Sequence, residues 1–283
     1  MNSSNKLVST NLGKIQLTIT GNGPAMFFWP SLMLDGSSWQ QQALHFKDKY
    51  QVILIDSPGH GKSEHLNRHF TIEECALCLS QIMDGLEISR GIVLGSSWGG
   101  IVSAVFSALY PQRTIATVIM NSSASATSLK QKFEFHFLNL LIGNSTHLPK
   151  FLINQISRIF IGKTTAQHRS KVHSQIRGYL SELNLTSVQW AIESLINSRR
   201  DIHELIGQIK SPTLVIAGKE DGTFSVPETR KMAKAIPKSL FEILDGVAHS
   251  SAIENPELVN DRIEFFLNES LKESLKTSNT NIL

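Results

Sequence analysis

The sequence predicts an α/β protein whose mostly parallel central sheet is flanked by helices. Short runs rich in Val and Ile alternate with segments in which apolar residues recur at helical spacing. The pentapeptide Gly95-Ser96-Ser97-Trp98-Gly99 joins one such run directly to a helical pattern, which is a strand–turn–helix connection. The length of 283 residues suffices for one large α/β core, or for a core with an inserted subdomain. Parallel strands are covered on both faces and therefore read as continuous apolar runs, as these do.

The predicted strands, in chain order, are Lys14–Thr20, Ala25–Trp29, Gln51–Asp56, Gly91–Leu94, Ile115–Asn121, Thr213–Gly218 and Leu240–Leu244. Helical spacing predicts core helices at Ser38–Lys47, Thr71–Leu86, Gly99–Tyr110, Pro227–Ile236 and Pro256–Asn268. In such a sheet the loops at the carboxyl ends of the parallel strands lie together, and ligands bind there. We therefore expect the functional residues to follow the strands directly.

One long segment interrupts the alternation of strands and helices. Between Ser128 and Arg200 only helices are predicted, at Lys130–Ile142, Lys150–Ile161, Thr165–Leu180 and Ser187–Asn197. We interpret residues 128–200 as a helical cap (lid) inserted after the strand Ile115–Asn121, over a core built from residues 1–127 and 201–283. The polar composition of residues 269–283 predicts a flexible tail.

The charge balance of the chain is uneven. The net charge is only +3, so nothing in the overall charge points to a nucleic-acid partner. Residues 128–200, however, contain ten Lys and Arg against three Glu, a net charge of +7. These cations are interpreted first as a solvated face of the cap. The alternatives are attraction of an anionic substrate towards the cleft, or loose contact with an acidic membrane surface.

Other sequence features bear on location and metal binding. No stretch approaches about 20 apolar residues, and the first residues lack the apolar region of a signal peptide, so a cytoplasmic protein without integral membrane association is predicted. Cys75 and Cys78 lie within the predicted helix Thr71–Leu86 rather than at its start, which favours buried packing residues over a redox pair. No histidine is spaced to complete a zinc site with them, so no metal is predicted.

The strand–turn–helix connection carries the first candidate catalytic residue. In a G-x-S-x-G turn the serine lies at the apex of a sharp bend with its hydroxyl exposed, so Ser97 is a candidate nucleophile. A serine needs a general base, and the base needs an acid to orient it. His249 follows the strand Leu240–Leu244, and Asp221 follows Thr213–Gly218. Two further residues compete for these roles, His60 as the base and Glu220 as the acid.

Five stretches together resemble an α/β-hydrolase of the capped, small-substrate kind, over about residues 11–267. They are Gly21-Asn22-Gly23-Pro24, the D-x-x-G-x-G-x-S loop Asp56–Ser63, the turn Gly95–Gly99, Ala217–Asp221 with Val226-Pro227-Glu228, and Gly246–His249 with Glu254–Glu257. The chain order of serine, acid and histidine is also the order in that family.

The resemblance implies a role for each matching residue. Ser97 would be the nucleophile, His249 the base and Asp221 the acid that orients it, whereas His60 would lie in a structural loop. The backbone N–H groups of Ser31 and Trp98 would form the oxyanion hole. The absence of an acidic nucleophile at position 97 argues against a dehalogenase or an epoxide hydrolase of this fold.

One stretch departs from the family pattern. The family has His-Gly after the strand that ends here at Trp29, and this chain has Trp29-Pro30-Ser31-Leu32 instead. Pro30 has no N–H, but the expected donor is the next residue, so the substitution affects the shape of the oxyanion hole more than its existence. Trp29 and Met33 are candidate substrate-pocket residues.

The sequence therefore predicts a serine hydrolase that cleaves a small ester, lactone or related carbonyl compound through an acyl-enzyme, with no metal or organic cofactor. Its histidine loop is most similar to those of enol-lactonases and carboxylesterases. Carbon–carbon bond hydrolases and perhydrolases with the same triad are alternatives. A receptor-like protein that binds a ligand with slow or no turnover is a further alternative, because fold alone does not fix function. The partner is a small-molecule substrate, and the oligomeric state is not fixed by the sequence.

Overall fold

The fold is described from a computed structural model, which covers residues 3–129, 131–133 and 145–280, with side chains up to residue 270. Its strands are β1 (Ser4–Thr10), β2 (Gly13–Thr20), β3 (Ala25–Trp29), β4 (Gln51–Ile55), β5 (Gly91–Ser96), β6 (Thr114–Met120), β7 (Thr213–Gly218) and β8 (Leu240–Leu244). They form a sheet in the order β1-β2-β4-β3-β5-β6-β7-β8. Strands β3 to β8 run parallel, while β2 pairs antiparallel with both β1 and β4. The predicted α/β fold class is thereby confirmed.

Strand β1 is the strand that the sequence analysis missed. Of its seven residues only Val8 is buried, and most of the others are polar and exposed. It is an edge strand held by backbone pairing with β2 over its whole length. Because such a strand has one covered position and no apolar run, it lacks the pattern that identifies the interior strands.

The helices connect and cover the strands. They are α1 (Gln40–Phe46), α2 (Ile72–Gly85), α3 (Trp98–Leu109), α4 (Lys150–Phe160), α5 (Lys163–His168), α6 (Ser170–Glu182), α7 (Leu185–Ser198), α8 (His203–Ile206), α9 (Val226–Ala235), α10 (Ser251–Glu254) and α11 (Pro256–Thr280). Short 3-10 turns at Gly36–Trp39 and Pro111–Arg113 precede α1 and β6. Helix α2 begins with a capping box in which Thr71 and Glu74 satisfy each other's backbone N–H groups.

Three of the predicted helices differ from the described ones. The helix predicted over Thr165–Leu180 is two helices, because the chain leaves helical geometry at Arg169. The helix predicted over Lys130–Ile142 lies mostly outside the described residues. In this region the structure describes residues 129 and 131–133, and these are helical. The last helix continues beyond Asn268 to Thr280. The flexible tail at 269–283 stays a prediction, and residues 281–283 lie outside the described part of the chain.

Both faces of the sheet are covered by apolar packing. On one face the strands pack with α2, α3, α8 and α9. On the other face they pack with α1 and the first part of α11, through side chains such as Phe46, Val259 and Ile263. Cys75 and Cys78 are fully buried free thiols of α2, as predicted, and burial raises the pKa of Cys78 to about 12.

Helices α4 to α7, here called the insertion helices, lie in sequence between β6 and β7. Three of them, α4, α6 and α7, share an apolar cluster that includes Ile156, Ile176 and Val188. The cluster also contains Leu34 and Ile253 from outside the insertion helices. Their role as a cap stays a prediction. In the described ranges 3–129, 131–133 and 145–280, no helix has the length and apolar character needed to cross a membrane.

Candidate active site

Ser97 lies at the turn between β5 and α3. Its backbone has φ 57° and ψ −117°, an unfavourable conformation for a residue with a side chain. The turn is possible because its flanking residues are glycines. A Cβ atom on Gly95 would lie 2.0 Å from the carbonyl oxygen of Gly99, and one on Gly99 would lie 2.1 Å from that of Trp29. This close approach of strand and helix holds the serine at the apex of the turn.

The loop after β8 carries His249 to this serine. His249 Nε2 lies 2.9 Å from Ser97 Oγ, which is hydrogen-bonding distance. The imidazole is buried between two aromatic rings, with centroid distances of 5.5 Å to Phe160 and 5.7 Å to Phe224. These contacts restrict the position of the imidazole and shield it from bulk water.

The loop after β7 supplies the carboxylate. Asp221 Oδ2 lies 3.0 Å from His249 Nδ1, and Asp221 Oδ1 accepts hydrogen bonds from the backbone N–H groups of Thr223 and Phe224. Burial favours the neutral acid, but the charge and hydrogen bond of His249 and the two N–H groups outweigh it, so the pKa of Asp221 lies below its usual value. The carboxylate is therefore ionised beside the imidazole.

The structure thus brings the three predicted residues into one hydrogen-bonded chain and leaves their competitors outside it. His60 is buried in the loop after β4, where its Nδ1 is 3.0 Å from the carbonyl oxygen of Pro58 and its Nε2 is 3.1 Å from the backbone nitrogen of Met33. Glu220, next to Asp221, points away to the backbone N–H and hydroxyl of Thr164.

The hydrogen bonds of His60 require its neutral form. Nδ1–H donates to Pro58, and Nε2 accepts from the Met33 N–H, so a second proton on the ring would face a donor. Burial lowers the pKa of His60 to about 4. The unfolded chain binds this proton near pH 6.5, so the folded state loses stability as the pH falls from about 6.5 towards 4.

We therefore expect His60 to account for about 2 kcal/mol of the loss in unfolding free energy between about pH 7.5 and about pH 5. Urea denaturation of the wild type and of His60→Gln at the two pH values measures this share. The variant has lower stability at both values but a flatter dependence on pH. His65→Gln, a substitution of an exposed histidine in the same loop, is the control. Equal pH dependence in all three proteins would contradict the prediction.

The predicted oxyanion donors lie beside the nucleophile turn. Trp98 is the first residue of α3 and Ser31 follows β3, so both backbone N–H groups lie at the carboxyl edge of the sheet. In the described part of the chain, neither N–H donates a backbone hydrogen bond. The side-chain oxygen of Ser31 lies 3.2 Å from that of Ser96, which fixes the segment that follows Pro30.

A cavity of about 330 Å³ opens beside Ser97 and His249. The rest of its wall is mostly aliphatic or aromatic and includes Leu32, Met33, Ile156, Ile159, Phe160, Ile192, Leu195, Ile196 and Phe224. The predicted pocket residue Met33 is among them. Trp29 does not line this cavity, because its ring is fully buried and packs edge-on against Trp98, with centroids 5.9 Å apart.

The sequence analysis did not single out Asn121, which contacts the acid. Asn121 follows β6, has φ 48° and is fully buried. Its Nδ2 donates to Asp221 Oδ2 at 3.1 Å and to the carbonyl oxygen of Ala248 at 2.8 Å, while its Oδ1 accepts from Ser251. It thereby connects the loops that carry the carboxylate and the imidazole. Its position at the end of the predicted strand Ile115–Asn121 is the sequence feature that could have identified it as a site residue.

The segment from Phe160 to Arg169 is hydrogen-bonded to the histidine loop. The Phe160 carbonyl accepts from the Ser250 N–H, and Arg169 donates to the Gly246 carbonyl. Buried Glu254 links the two regions, because its carboxylate accepts from the N–H groups of Gly162 at 2.9 Å and Ala248 at 2.8 Å. One side of the insertion helices is therefore fixed to the loop that carries His249.

Within the residues that the structure describes, no group of three or more His, Cys, Asp or Glu side chains is arranged to hold a metal ion. The reactive groups at the carboxyl edge of the sheet are the hydroxyl of Ser97, the imidazole of His249 and the carboxylate of Asp221.

Comparisons with known proteins agree with this architecture. A family model described as alpha/beta hydrolase fold matches residues 24–152. The chain is 26% identical over 260 residues to 3-oxoadipate enol-lactonase 1 of Acinetobacter baylyi, covering 89% of this chain and 92% of that protein. It is 23% identical over 285 residues to epoxide hydrolase 1 of Caenorhabditis elegans, covering 93% of this chain and 69% of that protein. A thermophilic esterase from Thermogutta terrifontis superposes with a TM-score of 0.86 at 24% identity, covering 94% of this chain and 99% of that one.

The sheet order, the helices on both faces and these similarities define a hydrolase-type enzyme with an α/β architecture. The chain has the α/β-hydrolase fold, which is the fold that the matching family model describes.

Proposed function

We propose that the protein is a serine hydrolase that cleaves a small ester, lactone or related carbonyl substrate through an acyl-enzyme. The observation that carries this proposal is the hydrogen-bonded chain from Ser97 through His249 to Asp221 at an apolar cavity. A hydroxyl alone is a weak nucleophile, whereas a hydroxyl that donates to an oriented imidazole is an activated one.

In the first half of the reaction, Ser97 Oγ attacks the substrate carbonyl while His249 Nε2 takes its proton. The tetrahedral oxyanion accepts hydrogen bonds from the N–H groups of Ser31 and Trp98. The carbon–oxygen bond to the leaving group then breaks, and His249 gives the proton to the departing oxygen. Asp221 keeps the proton on Nδ1 of the imidazole and stabilises the imidazolium that forms.

In the second half, water replaces the leaving group. His249 takes a proton from the water as its oxygen attacks the acyl carbon, and the same two N–H groups stabilise the second oxyanion. The ester bond to Ser97 breaks, the acid leaves, and the proton returns to Ser97 Oγ. No other group is required for the balance of atoms and protons.

The cavity supports a substrate with an apolar part near the scissile carbonyl. Apart from Ser97 and His249, most of its lining is aliphatic or aromatic, and its volume of about 330 Å³ suits a small ligand. The relationship to enol-lactonase 1 of Acinetobacter baylyi supports a lactone or ester. The similarity to an epoxide hydrolase does not support epoxide hydrolysis by this protein, because residue 97 is a serine and has no carboxylate side chain.

The experiment that tests the proposal is pre-steady-state hydrolysis of 4-nitrophenyl esters of increasing acyl length. We expect a burst of nitrophenolate equivalent to the enzyme, followed by steady turnover, because the activated 4-nitrophenyl esters acylate the serine faster than water hydrolyses the acyl-enzyme. The rate is expected to rise with acyl length until the chain exceeds the cavity. Mass spectrometry of the quenched burst should find the acyl group on Ser97.

Two outcomes would contradict the proposal. A single stoichiometric burst without turnover would favour the receptor-like alternative. Steady hydrolysis that Ser97→Ala retains, with no acyl group found on Ser97 of the wild type, would point to chemistry that does not use this serine. A burst too fast to resolve is still detected as acylated Ser97 in the quenched sample.

A further inference from the structure

One charged residue lies in the apolar cavity beside Ser97. Arg199 follows the last residue of α7, is only 8% exposed, and lines the cavity together with Ser97 and His249. Its guanidinium lies 5.4 Å from the ring centre of Phe224, and the same ring packs against His249. Arg199 is therefore separated from the imidazole by one aromatic ring.

The guanidinium of Arg199 lacks an ion-pair partner among the residues that the structure describes, and its buried Nε has no hydrogen-bond partner there. Burial lowers the pKa of Arg199, while the charge of Glu228 acts in the opposite direction. A buried cation without a direct partner is costly, and an anion that enters the cavity would remove that cost.

Two hydroxyls on the cavity wall also lack hydrogen-bond partners among the described residues. Thr127 Oγ1 and Thr223 Oγ1 are buried without a hydrogen-bond partner in the described structure. The backbone N–H of Thr127 donates to the carbonyl oxygen of Arg199 at 3.2 Å, so these two residues are neighbours. Thr223 lies in the acid loop beside Phe224. The wall of the cavity thus carries three polar side chains with atoms that lack partners among the described residues.

We propose that Arg199, with the hydroxyls of Thr127 and Thr223, binds a carboxylate of the substrate. The preferred substrates would then be esters or lactones that carry a carboxylate separated from the scissile carbonyl by an apolar spacer. This inference rests on the proposed function of the site and narrows its substrate class.

The chemistry of the wall favours a carboxylate over other anions. The planar guanidinium matches the two oxygens of a carboxylate, and one cation neutralises one negative charge. A phosphate dianion would leave a net negative charge among the aliphatic side chains of Leu195 and Ile196. The spacer between carbonyl and carboxylate would contact these same side chains.

Four other cations of this segment are exposed, unlike Arg199. Lys150, Arg158, Lys163 and Lys171 are exposed to solvent, as the first interpretation of this charged segment expects. Arg200 is the most useful contrast, because it follows Arg199 directly, carries the same charge, is exposed, and pairs with Glu73. It supplies a matched control with equal loss of charge outside the cavity.

The test compares two esters with the same acyl length, the mono-4-nitrophenyl ester of adipic acid and 4-nitrophenyl hexanoate. They differ only at the end of the acyl chain, which is a carboxylate in the adipic ester and a methyl group in the hexanoate. The ratio of their kcat/KM values is measured for the wild type, Arg199→Met, Arg199→Lys and Arg200→Met. We expect Arg199→Met to lower the ratio by about 100-fold, the loss of a charged hydrogen-bonded pair. Arg200→Met keeps the wild-type ratio, and Arg199→Lys falls between.

A structural role for Arg199 would lower stability without changing this ratio, so equal ratios in Arg199→Met and Arg200→Met would overturn the inference. If Arg199→Met does not fold, the test rests on the kcat/KM ratio of the wild type and on the lower ratio that is expected for Arg199→Lys. A wild type that prefers the hexanoate ester would also overturn it.

Binding of adipate to Ser97→Ala, measured by calorimetry, separates this inference from the proposed function. Adipate binding that Arg199→Met removes would support the carboxylate site even if neither ester were hydrolysed. Ser97-dependent hydrolysis without adipate binding would support the hydrolase and overturn the carboxylate site. Tighter binding of butyl phosphate than of adipate would overturn the choice of carboxylate.

Discussion

Ser97→Ala is expected to abolish the burst and to lower steady turnover by on the order of 10⁶-fold, as for the loss of a nucleophile in other triads. The reason is that Ser97 Oγ supplies the bond to the acyl group and lies within hydrogen-bonding distance of His249 Nε2. The fold is retained, because alanine keeps the Cβ atom and the side chain loses one hydrogen bond. Circular dichroism and the melting temperature check this.

The control for this variant is Ser107→Ala. Ser107 is a buried serine of the helix that follows the turn, and its hydroxyl lies 2.7 Å from that of Thr117, away from the proposed machinery. Its replacement is expected to lower stability by about 1 kcal/mol and to leave the burst intact. Retention of the burst in Ser97→Ala would overturn the proposed nucleophile.

Asp221→Asn is expected to lower kcat by on the order of 10⁴-fold. Oδ1 of Asp221 accepts two backbone N–H groups, so an asparagine would place its oxygen there and its amide NH₂ on the other side. That NH₂ would face the Asn121 Nδ2 donor and Nδ1 of His249. The imidazole would then carry its proton on Nε2, where it could not accept the proton of Ser97.

Glu220→Gln is the matched control for this prediction. It removes the adjacent carboxylate, which accepts hydrogen bonds from Thr164 and forms none with His249 in the described structure. We expect kcat within about tenfold of the wild type, because a neutral amide oxygen can still accept from Thr164. Steady-state measurement of kcat for both variants at the same pH decides which carboxylate orients the imidazole. A larger loss in Glu220→Gln than in Asp221→Asn would make the acid assignment wrong.

The interior of the fold could be predicted because its signals are local. Strands such as Ala25–Trp29 and Thr213–Gly218 are buried along their whole length, so their apolar runs coincide with their bounds. Strand β1 could not be predicted, because it is held mainly by backbone pairing with β2 and only one of its side chains is buried. The break at Arg169 was hidden for a related reason, since apolar spacing continues across it.

The candidate site could be predicted only where a motif marks it. The turn around Ser97 and the loops that carry Asp221 and His249 have recognisable neighbours in the sequence. Asn121 and Arg199 have none, since their significance comes from contacts with residues distant in the chain. A count of charges treats Arg199 and Arg200 alike, although one is buried and the other is exposed.

The attachment of Phe160–Arg169 to the histidine loop limits how the protein can be engineered. The insertion helices are not an independent module, because Glu254 and Gly246 of the core hold them through specific hydrogen bonds. A chimaera that exchanged the whole segment from α4 to α7 for that of a relative would also replace Gly162 and Arg169, which make these hydrogen bonds, and would disturb the imidazole. Exchange limited to α6 and α7 would alter the cavity wall and preserve the junction.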